Sequence, residues 1–400
     1  MKVIACNIGS TSFKFQLLDL PAETEQVRGV AERVGSQRSL VRYWVKGVEV
    51  ERTEPALPGQ RDAVRHALEF LVQGPDPPLA SLREVDGVGF KCVQAGERNG
   101  SVLIDRDVLE AMEAYRDLAP AHNPPYIEAI GMFRALLPRT PLVGVFEPGF
   151  HIHAPQYACL YGTPFDWFEE YGVRRYGYHG ASHRFGAGEV VRILKLPPGR
   201  HRIVTCHLGG SSSLCAIRDG VSIDTSMGFS PQSGLIQGTR IGDLDPFVLP
   251  YIMRKKGITL DAALEECSRN GGLAGISGTS GDMRDINERI RAGSRRARLA
   301  RDKFIYDIKR YLGGYLLLLE GIDAVGFSGG IGEHDAALRA EVLASLGFLG
   351  LELDETANRA HSDLITTPNS KIAAVVVQTN EEIVVARETA RVIESYSSAK

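Results

Sequence analysis

Residues 3–14 (VIACNIGSTSFK) and residues 204–214 (VTCHLGGSSSL) share one design: an apolar run, a Gly/Ser/Thr turn, then a second apolar run. Each reads as a β-hairpin whose turn offers backbone N–H groups and hydroxyls. Small residues let the backbone approach phosphate oxygens, so such turns bind anions. Two of them facing each other across a cleft could hold a nucleoside triphosphate. In the first hairpin, strand alternation predicts Ser10, Ser12 and Lys14 on one face, with Asn7 in the same group. Two hydroxyls and an ammonium suit phosphate oxygens. The plainer alternative is the solvent face of an edge hairpin.

Four further segments carry chemistry. Phe327-Ser328-Gly329-Gly330-Ile331-Gly332-Glu333 runs from a buried strand through a glycine-rich turn into a helix. Bare backbone there could lie against a phosphate or a flat ligand, although most such segments are merely tight turns. Residues 175–183 (RYGYHGASH) place two histidines four apart, a spacing that could ligate a metal on a helix. The helix, however, is expected to start after His179. His179 is therefore read as a donor to a developing anion, His183 as helix-face structure, and His151, His153 and His201 as structural. Residues 238–246 (GTRIGDLDP) hold Arg240 between glycines, where its planar fork could reach a phosphoryl group; the alternative is a surface salt bridge. Asp245 is read as the cap of a helix from Pro246. Residues 277–285 (SGTSGDMRD) read as a capped helix start against which a purine could stack, though capping alone explains them. Glu147 ends a buried strand. It could hold Mg²⁺ through water or orient a nucleophile, but the segment alone favours a surface acid at a turn.

The elements that must position these groups alternate between strands and helices. Residues 61–72, 107–118 and 125–137 have helical spacing, the first through Val64, Ala67, Leu68 and Leu71. Residues 13–20, 85–93 and 142–146 read as strands, and 36–59 only as loop or edge strand. The chain changes character around Glu147-Pro148-Gly149. Strands resume at 202–207, 214–217 and 221–224, the last pair joined by Arg218-Asp219-Gly220. Helices then dominate from Pro246 to about Glu320, followed by strands at 322–327 and 371–377. A closing helix begins near residues 379–382 and is expected to return to the first domain. A strand-hairpin core in both halves suggests duplication.

At 400 residues, two domains are the default. A net charge of −3 with no long basic run argues against nucleic acid as a partner. The most apolar stretch, 316–319, is too short to span a bilayer, and the first residues lead straight into a hairpin without a leader pattern. Six cysteines (Cys6, Cys92, Cys159, Cys206, Cys215, Cys267) without a CxxC pair argue against a metal cluster or disulfide framework and fit a reducing cytoplasm.

Taken in order, Asn7 to Lys14, His122-Asn123-Pro124-Pro125, Tyr176 to His183, His207 to Ser213, Asp224 to Phe229, Gly238 to Pro246, Ser277 to Asp285, Gly330 to Glu333 and Thr379 to Glu382 resemble the acetate kinase family. The likeness covers essentially the whole chain. That family lies within the superfold of actin-like, sugar-kinase and heat-shock-chaperone ATPases. The resemblance implies an α/β fold of two duplicated ribonuclease-H-like domains, 1–149 with 385–400 and 150–384, and a nucleotide cleft between them. It implies a homodimer that uses ATP and Mg²⁺ (or Mn²⁺) to convert a short carboxylate reversibly into an acyl phosphate. By resemblance, Asn7 and Glu381 are metal-associated, and Ser10, Ser12 and Lys14 contact ATP. His207, Leu208, Gly209, Gly210 and Ser211, with Gly281, Asp282, Met283 and Arg284, and with Gly329, Gly330, Ile331, Gly332 and Glu333, form the nucleotide segments. His179 and Arg240 stabilise the transition state.

This chain also departs from the family. Phe90-Lys91-Cys92-Val93-Gln94-Ala95-Gly96 stands where a His-Arg pair and a His-Gly-Gly turn are usual. The family's arginine grips the substrate carboxylate bidentately, whereas Lys91 offers a point charge. Glu147 replaces the catalytic Asp. In the acyl pocket Val93 and Pro231 are kept, Ala121 replaces Leu, and Tyr178 replaces Phe; Gly210 replaces an Asn in the nucleotide hairpin. A smaller residue at 121 opens space, and a phenol adds a donor. A larger or hydroxylated carboxylate is therefore expected to be favoured over acetate. The competing expectation is a regulatory nucleotide-binding homologue without turnover. A chaperone-like or actin-like ATPase fits less well, since no peptide-binding domain or filament insertion is visible.

Overall fold

The computed structural model describes residues 1–119 and 122–398. It divides the chain into two compact units, Met1–Ile152 with Asn380–Lys400, and His153–Thr379. The expected limits were 1–149 with 385–400 and 150–384. Residues 150–152 and 380–384 instead go with the first unit.

The first unit is built on a sheet of β1 (Lys2–Gly9), β2 (Ser12–Asp19), β3 (Thr24–Glu32), β4 (Leu40–Val45), β5 (Val48–Thr53), β6 (Gly87–Cys92), β7 (Ser101–Leu103) and β8 (Leu142–Phe146). Their spatial order is β5-β4-β3-β2-β1-β6-β8-β7. β1 to β5 form an antiparallel meander, while β1, β6 and β8 run parallel. β1 is buried on both faces, as a central strand must be. One face packs Ile4, Cys6, Phe13, Phe15 and Phe90 into a core with Val64, Leu68, Ile130 and Phe133. The helices Gln60–Gln73 and Asn123–Leu136 supply those last four residues.

The helix Glu381–Ser398 covers the other face. Glycine is required beneath it. A Cβ at Gly87 would lie 2.4 Å from Ile393 Cδ1, and one at Gly89 would lie 2.1 Å from Thr389 Oγ1. Later strand positions thus meet earlier helix positions, so the helix runs against the strand. Its first residue, Glu381, consequently lies beside Lys91.

The second unit repeats the plan with β9 (Arg202–Leu208), β10 (Ser212–Arg218), β11 (Val221–Thr225), β12 (Ala324–Ser328) and β13 (Ala373–Val376). The order β11-β10-β9-β12-β13 matches β3-β2-β1-β6-β8, with an antiparallel meander followed by two parallel strands. One face holds Val204, Cys206, Leu214 and Ala216 against Phe304, Ile308 and Leu312. Those three belong to the helix Arg295–Leu318. The helix Gly180–Leu194 packs on the other face, where a Cβ at Gly326 would lie 2.9 Å from Val190. This fold is the expected α/β duplication.

The structure corrects the sequence reading in the meander. Residues 36–59, read as loop or edge strand, contain the hairpin β4–β5. Its turn, Lys46 and Gly47, has φ of +48° and +81°. β3 and β7 were not anticipated. The helix expected at 107–118 stops earlier, as Arg106–Ala114, and the one expected from Pro246 starts at Val248.

Candidate active site

In the second unit, β10 leaves its turn at Ser211 and brings two hydroxyls, those of Ser211 and Ser213, toward the start of the helix Gly180–Leu194. His179 immediately precedes that helix. Its Nε2 is 2.9 Å from Ser211 Oγ, and its Nδ1 is 2.7 Å from Ser213 Oγ. Arg240 Nη1 donates to the same Ser211 Oγ at 2.9 Å and to Gln237 Oε1 at 3.1 Å. The two groups expected to steady a phosphoryl group therefore converge on one oxygen. Burial lowers the Arg240 guanidinium from its ordinary value, yet so strong a base stays charged. Arg240 forms no ion pair among the described residues, which removes the surface salt-bridge alternative. His207 adds a third ring, its centroid 4.9 Å from that of His179, with Nδ1 3.3 Å from Ser328 Oγ. His183 is buried, as helix-face structure predicts.

A cavity of about 510 Å³ opens in the same unit. Gly209, Gly210, Gly281, Asp282, Met283, Arg284, Gly330 and Ile331 line it, so three separate sequence segments meet there. Asn287, His334 and Asp335 complete the lining and were missed by sequence reasoning. Asn287 is one helical turn past Met283, a signal that was available; its Nδ2 donates to Asp335 Oδ2 at 3.1 Å. Asp282 caps the helix Met283–Arg291 and pairs with Arg284. Hydrogen bonds from the Arg284 side chain and backbone hold its carboxyl down at about 2.

Other nucleotide candidates have structural duties. Leu208 is fully buried. Gly329 has φ +75°, and a Cβ there would lie 2.7 Å from Leu208 O. Glu333 Oε1 accepts from the Gly329 N–H at 3.0 Å and from the Thr379 hydroxyl at 2.8 Å, so its carboxylate fastens the loop. Gly332 is buried, and its carbonyl accepts from Arg339. Asp245 caps the turn ahead of the helix Val248–Lys256, accepting from the Phe247 N–H at 2.9 Å. Tyr178 Oη donates to Phe229 O at 2.8 Å, and Pro231 O accepts from Gln237 Nε2 at 2.8 Å. The phenol's proton is thus committed to the chain itself.

In the first unit, Asn7 and Lys14 are cross-strand partners and share a face. Lys14 is exposed and Ser12 half-buried. Ser10 sits in the two-residue turn between β1 and β2, so strand alternation does not govern it; this corrects the expected three-residue face. Lys91 stands two residues after Gly89, on the face covered by the C-terminal helix. Its Nζ is 3.2 Å from Glu147 Oε1 and hydrogen-bonds Glu381. Burial alone would lower the ammonium's pKa; the charges of Glu147 and Glu381 outweigh it and hold the group well above its ordinary value. Glu147 is 6% exposed, so it is a buried acid rather than the surface acid its segment suggested. Val93 is half-buried in the loop after β6, and Ala121 lies outside the described residues. Gln94, which sequence reasoning left without a role, turns inward: its Oε1 accepts from the Gly96 N–H and from Asn99 Nδ2.

Asn7, Glu147 and Glu381 offer the hard oxygen donors that Mg²⁺ prefers. Among the described residues no group of three or more His, Cys, Asp or Glu is arranged to hold a metal ion. The donors fit an ion held mainly by phosphates and water, with a protein carboxylate and an amide oxygen as supports.

A family profile described as the Acetokinase family matches residues 2–387. An acetate kinase of Carboxydothermus hydrogenoformans is 42% identical over 98% of this chain and 99% of its own length. One from Clostridium kluyveri is 40% identical over 100% of both. Among solved structures, Porphyromonas gingivalis acetate kinase superposes with a TM-score of 0.91 at 34% identity, covering 98% of this chain and 99% of its own. A propionate kinase from Francisella tularensis gives 0.88 at 32%, with the same coverage. The profile match and the full-length similarity agree: this chain belongs to the acetokinase family.

Proposed function

We propose that this chain moves the γ-phosphoryl group of ATP reversibly onto a short-chain carboxylate. A carboxylate oxygen attacks the γ-phosphorus in line, the bond to the β,γ-bridging oxygen breaks, and ADP and an acyl phosphate result. The carrying observation is the meeting of His179 Nε2 and Arg240 Nη1 on one oxygen, that of Ser211. Phosphoryl transfer asks for alignment and for donors fixed around spread negative charge. A phosphoryl oxygen taking the place of the Ser211 hydroxyl would receive both. The glycine-lined cavity would seat the nucleotide, with Asp282 at its rim. A divalent cation, Mg²⁺ or Mn²⁺, held by Asn7 and Glu381 would neutralise charge on the β- and γ-phosphates when bound. Lys14 would add a cation to the phosphates. Lys91 would steer the acceptor carboxylate as a point charge, and Glu147 would orient that lysine.

The relatives named acetate kinase and propionate kinase support this acceptor class. Within it, we infer a preference for propionate or a longer chain over acetate. Ala121 is smaller than the Leu usual in the family by roughly three methylene-sized groups. Because the Tyr178 hydroxyl already donates to Phe229 O, added room rather than an added donor separates the acceptors. Acyl hydroxamate formation, measured with acetate, propionate, butyrate and 2-hydroxy acids, tests both levels. Propionate or butyrate should give the highest kcat/KM, and Ala121→Leu should return the preference to acetate. A clear preference of the unaltered protein for acetate ends the chain-length reading. A reducing cytoplasm, which six free thiols fit, and a homodimer, which the family resemblance implies, are the companion readings.

A second reading, a nucleotide-binding regulator without turnover, draws on the engagement of Lys91 with two glutamates. It requires ATP binding with no hydroxamate from any acid. Hydroxamate formation by the unaltered protein separates the readings, and in the kinase Arg240→Ala should lower kcat by at least about 100-fold.

A further inference from the structure

His179 is one member of a longer chain of side chains. His183 is fully buried, with Nε2 2.8 Å from Ser213 Oγ and Nδ1 2.7 Å from Thr205 Oγ1. Ser213 therefore lies between two imidazoles, and Ser211 joins the outer one to Gln237 Oε1 at 2.9 Å. A hydroxyl has one proton, so each serine can donate in one direction only. The direction is set at Gln237. Its Nε2 faces the Pro231 carbonyl at 2.8 Å, while its Oε1 faces N–H donors of Arg240 at 3.1 Å and Ser212 at 3.4 Å. Reversing the amide would set oxygen against a carbonyl and NH₂ against two donors.

With Oε1 fixed as an acceptor, Ser211 must give it the hydroxyl proton. Ser211 Oγ then accepts from Arg240 and from His179 Nε2–H. A neutral His179 with its proton on Nε2 has a bare Nδ1, which accepts from the Ser213 hydroxyl. Ser213 Oγ accepts in turn from His183 Nε2–H, and His183 Nδ1 accepts from Thr205. With His179 neutral, these six side chains are mutually satisfied in this sense.

We infer that Gln237, Ser213, His183 and Thr205 are positioning residues that hold His179 as the neutral Nε2–H tautomer, so that it presents a proton toward the transferred phosphoryl group. The inference rests on the proposed kinase reading for its purpose, but not for its test. The tautomer exists in the ligand-free protein, whereas turnover is a separate measurement.

Long-range ¹H–¹⁵N NMR on the full, ligand-free chain with ¹⁵N-histidine reads each ring. At neutral pH, His179 and His183 should both show a protonated Nε2 and a bare Nδ1. Gln237→Leu should give His179 a mixture of tautomers, whereas Gln237→Glu, which keeps an acceptor oxygen, should restore the single form. In Gln237→Leu kcat should fall by at least about tenfold while the KM for ATP stays within about twofold. Thr205→Val, nearly isosteric, should disturb His183 before His179. A wild-type His179 protonated on Nδ1 overturns the inference, as does an unaltered His179 signature in a folded Gln237→Leu. If Gln237→Leu does not fold, the wild-type spectrum still decides.

Discussion

The Lys91 ammonium stands 3.2 Å from a carboxylate oxygen of Glu147 and is hydrogen-bonded to Glu381 as well, so one cation serves two largely buried acids. The arrangement follows from the fold. β6 carries the lysine outward past Gly89, Glu147 follows the last residue of β8, and the antiparallel helix above them begins at Glu381. Removing the cation would take away the positive charge that the two acids share. Lys91→Met should therefore destabilise the protein by about 3 kcal/mol, read as a shift in urea midpoint, whereas Lys91→Arg should retain most of the stability. Equal losses in the two variants would show that side-chain shape, not charge, matters at this position.

The same cluster sets a pH dependence. The folded-state pKa of Lys91 is raised above its unfolded value, with the pull of Glu147 and Glu381 overcoming burial. Its contribution is thus fully present below the ordinary lysine value and disappears only as pH rises through the higher folded value. The stability gap between wild type and Lys91→Met should stay constant from pH 7 to pH 9 or so and narrow only in stronger alkali. Urea titrations at stepped pH measure it. A gap that closes between pH 7 and 9 would mean the lysine loses its proton early.

Two glycines at the glycine-lined cavity, the proposed nucleotide seat, should behave differently. Gly281 has φ +83°, and a Cβ there would lie 2.3 Å from Gly238 O, so Gly281→Ala should cost about 2 kcal/mol of stability as well as ATP affinity. Gly330 has open space around its missing Cβ and lines the cavity. Gly330→Ala should keep the melting temperature and raise the KM for ATP by about tenfold through the methyl it adds to the cavity wall. Thermal melts and ATP titrations of both variants separate backbone need from ligand need. A Gly330 variant with unchanged KM would remove that wall from the nucleotide site.

How far the sequence foretold this molecule depended on how local each signal was. β8 and both hairpin turns were readable because apolar runs and turn residues are adjacent in the chain. The meander strands β3 to β5 were not, since Glu25, Arg28, Glu49 and Arg52 make them polar on one side. Arg240 and His179 were found through neighbouring glycines and ring density. Gln237 was missed because nothing in its own segment shows that its amide sits between Pro231 O and Ser211 Oγ. The burial of Glu147 was equally invisible: it comes from β6, β8 and the C-terminal helix, which are far apart in sequence.

Arg339 supplies the last test. It is fully buried, and no carboxylate pairs with it among the described residues. Its fork instead donates to neutral oxygens: Nε to Asn358 Oδ1 at 2.9 Å, Nη1 to Gly332 O and Glu333 O at 2.8 Å each, and Nη2 to Asn358 O at 2.7 Å. Gly332 and Glu333 belong to the short helix Gly329–His334, whose earlier residues Gly330 and Ile331 line the glycine-rich cavity. Burial lowers the guanidinium's pKa, yet its several hydrogen bonds are what anchor this helix to the residues behind it. A lysine carries the charge but cannot reproduce a planar fork reaching four oxygens. Arg339→Lys should thus lose at least about 2 kcal/mol of stability, close to the loss in Arg339→Met, and both should raise the KM for ATP by about threefold or more. Urea unfolding and ATP kinetics on the two variants check this. Full rescue by lysine would mean that charge alone, rather than the directed fork, holds the cradle.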